Sequence, residues 1–266
     1  GIIAANWHLY LAQEQLSEVA DEEKIPLVLF HGRGGSLGRG GGPAARGILS
    51  LPPGTMRGEI RLTEQGEVLA DRYDDHEIAE RHLAQVLSAT ARTMVQPKKK
   101  RPARWSALMT EAAQAGRLSY RNLIENPHFI EWFDLATPIS VIETLTIGSR
   151  PSRRKQERTL QTLRAIPYTF AMTQNRSMVT GFYGFGSGIE ACGPEAIQEF
   201  REMMQDWPFF DAHLRSVEIA LAKASIDVTR AYSDLAAESG YEGVSEIDEL
   251  ISAEYERSRR VVLAIT

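Results

Sequence analysis

One glycine-rich loop constrains this chain more than any other part of the sequence. It runs from His31 to Pro43, reads HGRGGSLGRGGGP, and more than half of its residues are glycine. Backbone amides in such a loop can approach an anion closely and can adopt positive φ without a side-chain clash. Arg33 and Arg39 add planar guanidinium groups that match the edge of a phosphate or a carboxylate. The loop therefore predicts an anion-binding site, with phosphate as the natural guest.

The loop directly follows an apolar segment, Ile25 to Phe30, whose length and composition favour a buried β-strand. In an α/β barrel, residues at the C-terminal end of a strand face the active site. His31 and Arg33 occupy this position in the sequence, so we expect both side chains to line an active site.

Familiar nucleotide-binding motifs do not fit the loop. A dinucleotide fingerprint starting at Gly32 needs glycine at its sixth place, where this sequence has Leu37. A P-loop needs a lysine and a hydroxyl residue directly after its second glycine, and the loop provides neither. Arg-Gly boxes of disordered RNA-binding tails are repeated and lack apolar flanks, whereas this loop occurs once between a predicted strand and a predicted short helix. An ordered anion-binding loop is therefore favoured.

Hydrophobic spacing predicts a mainly helical chain with a few short strands. Helices are predicted for the opening segment as far as Asp21, before Ser50, at 76–95, 105–115 and 127–136, and beyond Gly193. A hairpin is predicted from 60–63 and 67–73, and a second buried strand at 165–171.

This order of elements favours the α/β class, because parallel strands need helical crossovers. We expect a predominantly helical part of a (β/α)8 TIM-type barrel in residues 1–193, with additional C-terminal helices in residues 194–266.

Charge and cysteine content exclude several classes of protein. The formal net charge of −5 provides no bulk positive field for nucleic acid. Cys192 is the only cysteine, which excludes an internal disulfide and fits a reducing compartment. The sequence contains neither a spanning apolar run nor a signal-peptide pattern. We expect a cytoplasmic protein that binds neither nucleic acid nor membranes. A helical pattern that starts right after Gly1 without a capping residue predicts a piece of a longer protein.

The segment from Phe30 to Pro43 resembles the glycine-rich signature of phosphoenolpyruvate carboxylases, and the resemblance continues in colinear order over nearly the whole chain. It includes SLPPG at 50–54, RLTEQGE at 61–67, NPHF at 126–129, ATP at 136–138, GSRP at 148–151, LRAIP at 163–167, FAMTQNR at 170–176, WPFF at 207–210 and LAKA at 221–224. The chain is thus similar to the C-terminal portion of that family.

The resemblance implies a lyase that carboxylates phosphoenolpyruvate irreversibly with bicarbonate, giving oxaloacetate and phosphate. This is anaplerotic carbon dioxide fixation that feeds the tricarboxylic acid cycle. The family uses magnesium or manganese and no biotin. In its mechanism, bicarbonate attacks phosphorus to give carboxyphosphate and the enolate of pyruvate. Carboxyphosphate then breaks into carbon dioxide and phosphate, and the enolate captures the carbon dioxide. Because every species is anionic, the site needs several fixed cations.

The same resemblance implies roles for particular residues. Arg33 and Arg164 would clamp the phosphate, and Arg150 would add positive charge on the bicarbonate side. His31 would accept the proton and help to hold carbon dioxide, because an unperturbed histidine titrates near ~6.5.

Substrate contacts are also expected from Gly34, Gly35 and Arg39. Arg39 would additionally bind an acidic effector, such as aspartate or malate, together with Lys223. The effector would withdraw the glycine loop from the active site, which is an allosteric switch by competition for one side chain. The full-length family protein is expected to be a homotetramer.

Some family features are expected outside this chain or are replaced within it. The family's metal-binding carboxylates, a histidine motif and a lysine would lie before residue 1, so no metal ligand is expected here and the piece alone should be inactive. Tyr168, Thr169 and Met172 stand where the family places two tryptophans, and Thr180 to Phe182 replace Pro-Ala-Trp. A catalytically degenerate relative that binds phosphoenolpyruvate or another anion, and acts as a regulatory subunit, is the alternative.

Two charged segments allow more than one interpretation. Pro97 to Pro102 resembles a nuclear import signal, but its flanking prolines favour a solvated linker. Residues 153–158 are rich in charge and fit either an exposed face or, by the resemblance, a loop that closes over substrate.

The histidines outside the glycine loop favour structural roles. His76 and His82 lie six residues apart, on different faces of a predicted helix, which argues against a shared metal. His128 and His213 stand alone and are expected to pack in the core or lie on the surface.

Overall fold

A computed structural model describes residues 1–32, 44–64, 66–95, 101–145 and 158–266. These parts of the chain are predominantly helical, as predicted, and contain one pair of short strands. The elements are α1 Ile2–Glu22, β1 Phe30–Gly32, α2 Ala44–Leu49, β2 Arg61–Thr63, α3 Gly66–Tyr73, α4 His76–Val95, α5 Ala103–Ile124, α6 Phe129–Leu135, α7 Ile139–Ile142, α8 Ala165–Gln174, α9 Val179–Phe182, α10 Phe185–Ala191, a 310 turn Pro194–Ala196, α11 Ile197–Asp206, α12 Pro208–Lys223, α13 Ile226–Ala237 and α14 Val244–Ile265.

The two strands run parallel, with Phe30 opposite Arg61, His31 opposite Leu62 and Gly32 opposite Thr63. A parallel pair cannot be joined by a tight turn, and α2 lies in the crossover between the strands. The predicted helices at 76–95, 105–115 and 127–136 and beyond Gly193 are confirmed as α4, α5, α6 and α11–α14.

The predicted hairpin at 60–73 is wrong. Its first segment pairs in parallel with β1, and its second segment forms α3. The second segment has weak alternation and contains glutamate, leucine, alanine and arginine, which favour helix over strand.

The predicted strand at 165–171 is also wrong, because these residues begin α8. A short buried apolar run has the same pattern in a strand and in a buried helix. Pro167 lies in the first turn of α8, where the missing amide hydrogen removes no helical bond.

The strand predicted from Ile25 begins only at Phe30. Ile25 is 56% exposed and Phe30 is 69% exposed, so within this chain the segment is not buried as expected.

Most of the core lies among the helices, and small residues let α10 approach its neighbours closely. A Cβ atom on Gly188 would lie 2.5 Å from the Ala112 carbonyl oxygen of α5, and one on Gly186 would lie 2.5 Å from the Ser258 backbone nitrogen of α14. Substitution at either glycine would therefore push the helices apart. The largest buried side chains are aromatic and include Trp7, Trp132, Phe133, Phe185 and Phe210.

A second, smaller cluster supports the strand pair. It consists of Ile48 of α2, Ala89 of α4 and Met56 from the segment between α2 and β2, with Ile60 and Val86 packed against them. This cluster ties the crossover helix to α4 and fixes the approach to β2.

Arg101, the last basic residue of the predicted solvated linker, is anchored in the fold. Its guanidinium carbon lies 5.2 Å, 5.3 Å and 5.7 Å from the ring centroids of Trp7, Tyr10 and Trp207. It also forms an ion pair of 2.5 Å with Glu14. The linker interpretation is therefore wrong at Arg101, whereas residues 96–100 lie outside the described residues.

Candidate functional site

His31 lies in the middle of β1, at the edge where the two parallel strands end together. It is partly buried and lines a half-open cavity of about 670 Å³ between α1, α2, α12 and the strand pair. Leu62, its partner in register, lines the same cavity, and Arg46 of α2 adds a cation to the wall.

His213 of α12 lines this cavity too, but its environment is that of a packing histidine. Asn6 Nδ2 donates to its Nδ1 at 2.9 Å, and its ring meets Phe185 edge-on at 5.5 Å. Burial lowers the pKa of His213 from 6.5 to about 4, so the imidazole is neutral at pH 7. The expected structural role is confirmed for this residue.

Glu64 follows β2 at the same strand edge and forms a charged cluster that the sequence did not predict. Its carboxylate, 9% exposed, pairs with Arg72 of α3 and lies 3.4 Å from Nε2 of His82 of α4. Burial alone would raise the pKa of Glu64, but hydrogen bonds from Tyr73 and Arg72 outweigh it and lower the pKa. His82 thus neighbours a carboxylate that braces the end of β2. The only feature of the sequence that pointed to Glu64 was its place in the RLTEQGE segment, which resembles the carboxylase family.

Arg164 caps α8 in an extended conformation, with φ of −92° and ψ of 135°. Its side chain is partly buried, and its Nε is fully buried without a hydrogen-bond partner among the described residues. Within that same part of the chain, Arg164 forms no ion pair with a carboxylate. A partly buried guanidinium is costly unless an anion is paired with it, so Arg164 has the features expected of an anion-binding group.

The segment just before Arg164 is held by Arg158. Its guanidinium, 14% exposed, bonds the carboxylate of Asp134 in α6 and lies 2.6 Å from Glu143, the residue that follows α7. The exposed-face interpretation of the charged run is therefore wrong at Arg158, while 153–157 lie outside the described residues.

Lys223 ends α12, where its side chain is exposed. Its backbone carbonyl accepts a hydrogen bond of 2.7 Å from Nε of Arg176, which has a left-handed φ of 60°. A second cationic side chain, that of Arg176, therefore lies beside Lys223 at the C-terminal end of α12.

The remaining predicted site residues lie outside the described residues: Arg33, Gly34, Gly35, Arg39 and Arg150. Of the three that the structure describes, only His31 lines the cavity beside the strands, and neither Arg164 nor Lys223 does. The structure does not place these three side chains in one pocket.

No group of three or more histidine, cysteine, aspartate or glutamate side chains in the described part of the chain could hold a metal ion. Among the helices described, none is long and apolar enough to cross a membrane.

Known proteins resemble the chain from end to end. The family model described as phosphoenolpyruvate carboxylase matches residues 1–266. The chain belongs to the phosphoenolpyruvate carboxylase family. Curated carboxylases from Prochlorococcus marinus subsp. pastoris and Burkholderia vietnamiensis are 40% and 41% identical, over 273 and 283 residues. One from Xanthomonas oryzae pv. oryzae is 42% identical over 239 residues, covering 88% of this chain.

The match to the first two carboxylases covers 100% of this chain but only 28% of each relative. Most of each of those enzymes therefore has no counterpart in these 266 residues. The resemblance found in the glycine loop is confirmed at the level of the phosphoenolpyruvate carboxylase family.

Proposed function

We propose that the chain is part of an enzyme that adds bicarbonate to phosphoenolpyruvate, giving oxaloacetate and inorganic phosphate. The observation that supports this most directly is Arg164, a partly buried arginine with no carboxylate partner in the described part of the chain. An arginine in that state favours an anionic ligand, and its planar fork matches a phosphate group.

The proposed division of work gives the phosphate to Arg33 and Arg164, with backbone contacts from Gly34 and Gly35. Arg150 offsets the charge of bicarbonate, and Arg39 contributes to substrate binding. These cations would stabilise negative charge as it moves from the phosphoryl group to carboxyphosphate and the enolate.

His31 is the proposed proton acceptor. Its place at the carboxyl edge of β1, on the wall of a cavity, is compatible with this role, because catalytic groups of barrel enzymes come from the ends of strands. The low pKa and buried ring of His213 leave that neighbour less suited to proton transfer near neutral pH.

The proposed architecture is a TIM-type barrel to which residues 1–193 contribute, followed by a helical part in 194–266. Support comes from the parallel pairing of β1 and β2 across a helical crossover. The 69% exposure of Phe30 also agrees with further strands from outside this chain, since an apolar strand is usually covered on both faces of a parallel sheet.

Magnesium or manganese is the proposed metal, and biotin is not involved. The described residues do not fit the metal, because they offer no cluster of ligating side chains. Residues outside this chain would hold it, and the bound ion would act as an electrophilic cation.

Regulation by an acidic effector such as aspartate or malate is proposed at Lys223 and Arg39. Arg176, whose Nε donates to the Lys223 carbonyl, adds a second cation beside Lys223 and supports this proposal. A cytoplasmic, homotetrameric and allosteric lyase, feeding oxaloacetate to the tricarboxylic acid cycle, is the proposed form of the complete enzyme. The 266 residues alone should lack activity.

The test is oxaloacetate formation by the full-length gene product with phosphoenolpyruvate, bicarbonate and magnesium. Arg164→Gln should lower kcat/KM by ~100-fold or more, in the range seen when one donor to a developing charge is removed. Arg121→Gln, an exposed arginine paired with Glu125 one turn away, is the matched control and should retain activity. Phosphoenolpyruvate binding without oxaloacetate formation would instead identify a degenerate, anion-binding relative.

A further inference from the structure

The Arg158 side chain joins three separate segments. Its guanidinium bonds Asp134 on α6 and Glu143 beyond α7, and all three side chains are at least two-thirds buried, with exposures of 14%, 32% and 10%. Burial by itself would lower the pKa of Arg158, but the hydrogen bonds and charges of the two carboxylates outweigh it and raise the pKa. The ion pair is therefore a fixed connection at neutral pH.

The segment between Arg158 and Arg164 is short, because Arg164 lies only six positions later, and internal hydrogen bonds hold it. The Thr159 backbone nitrogen donates to Thr162 Oγ1 at 2.8 Å, and the Leu163 backbone nitrogen donates to the Thr159 carbonyl at 3.0 Å. Leu160 and Leu163 also pack against the main core. Residues 158–164 thus form a short braced turn that begins at Arg158 and ends at the first residue before α8.

We propose that Arg158 is a positioning residue that fixes the backbone from which Arg164 reaches the phosphate of phosphoenolpyruvate. This inference rests on the proposed function of Arg164. A clamp works only if its donors sit where the charge develops, and a displacement of about 1 Å can cost ~100-fold in rate. The planar fork of arginine can bond two carboxylates at once, which the single ammonium of lysine reproduces poorly.

The experiment uses the full-length gene product and its Arg158→Lys, Arg158→Gln and Glu143→Gln variants, with Arg121→Gln as control. Phosphoenolpyruvate affinity is measured by calorimetry, KM and kcat by oxaloacetate formation, and local order by hydrogen exchange over residues 159–164. We expect Arg158→Lys to weaken phosphoenolpyruvate binding about tenfold, with faster exchange in 159–164 and an unchanged thermal midpoint. KM for bicarbonate should change less than KM for phosphoenolpyruvate.

The glutamine variants show whether the contact acts as one unit. Arg158→Gln combined with Glu143→Gln should weaken binding no more than Arg158→Gln alone, because both changes break the same connection. If Arg158→Gln fails to fold, the lysine variant and Glu143→Gln carry the comparison.

Two outcomes overturn the inference. One is faster exchange in 159–164 with unchanged phosphoenolpyruvate affinity, which would make the ion pairs purely structural. The other is unchanged exchange and affinity in every variant. Failure of the proposed function looks different, because the unmodified protein would then make no oxaloacetate, while the effect of Arg158→Lys on phosphoenolpyruvate binding would still decide the inference.

Discussion

The phenolic oxygens of Tyr120 and Tyr168 lie 2.9 Å apart and join α5 to α8. Burial raises the pKa of both hydroxyls, so both stay protonated and one donates to the other. The Tyr168 ring also lies 5.3 Å from that of Phe133. The position where the family resemblance led us to expect tryptophan therefore keeps an aromatic contact, and the hydroxyl that tyrosine brings has a partner.

Removing either hydroxyl should leave the other without this bond. We expect Tyr120→Phe and Tyr168→Phe each to lower the free energy of unfolding by about 1–2 kcal/mol. The double variant should lose less than the sum, because the second change removes a group that has already lost its partner. Urea unfolding of the 266-residue chain measures all three values, and strictly additive losses would show that the two hydroxyls do not interact.

Arg101 should contribute more to stability than its place in a basic segment suggests. Its guanidinium contacts three aromatic rings and Glu14, whereas Arg104 is 66% exposed in its pair with Glu199. We expect Arg101→Gln to cost about 1–3 kcal/mol in unfolding free energy, and Arg104→Gln less than about 1 kcal/mol. Urea unfolding measures both losses. Equal losses for Arg101→Gln and Arg104→Gln would show that the contacts of Arg101 with the three rings and Glu14 add no stability.

The sequence predicted the long periodic helices well and the short apolar segments poorly. The predicted bounds of α4 agree with the structure, because its apolar residues repeat at helical spacing over five turns. The segment at 165–171 is only seven residues long, and its period could not separate a strand from α8. The parallel pairing of Arg61 to Thr63 depends on residues 31 positions earlier, which local turn signals do not report.

Sequence motifs indicated the position of His31, but they could not indicate side chains whose burial depends on residues distant in sequence. His31 lies within β1, one residue before the strand ends, close to the place that the glycine loop indicated. The sequence placed Arg101 in a predicted solvated linker, and it left the charged run that includes Arg158 open between an exposed face and a loop over substrate. The carboxylates and aromatic rings that they contact, Glu143, Asp134 and Trp207 among them, lie 15 or more residues away in sequence, so burial at these positions depends on the tertiary fold.

His213 should make stability depend on pH in mildly acidic solution. Its pKa is about 4 in the fold and 6.5 in an unfolded chain, so the unfolded state binds the proton more readily between these values. Stability should therefore be full above pH 6.5 and fall as the pH drops towards 4, by at most about 3 kcal/mol. Urea unfolding from pH 4 to pH 7 should show this slope in the unmodified chain.

The control for this pH dependence of stability is His213→Leu, which replaces the imidazole with an apolar side chain of similar size that cannot titrate. It should be less stable at pH 7, because Asn6 Nδ2 loses its acceptor, but its stability should vary less between pH 4 and 6.5. An equally steep slope in this variant would assign the pH dependence to other groups.

Lys223 should affect inhibition without affecting catalysis. Its exposed position at the end of α12, beside the start of the Arg176 side chain, suits a carboxylate effector, and it does not line the cavity that contains His31. In the full-length gene product, we expect Lys223→Gln to raise the aspartate concentration needed for half inhibition by about tenfold, as loss of one charged contact implies. KM for phosphoenolpyruvate without aspartate should stay the same. Arg81→Gln, an exposed change on α4, should leave inhibition unaltered, and equal inhibition of the Lys223→Gln and unmodified enzymes would remove Lys223 from the effector site.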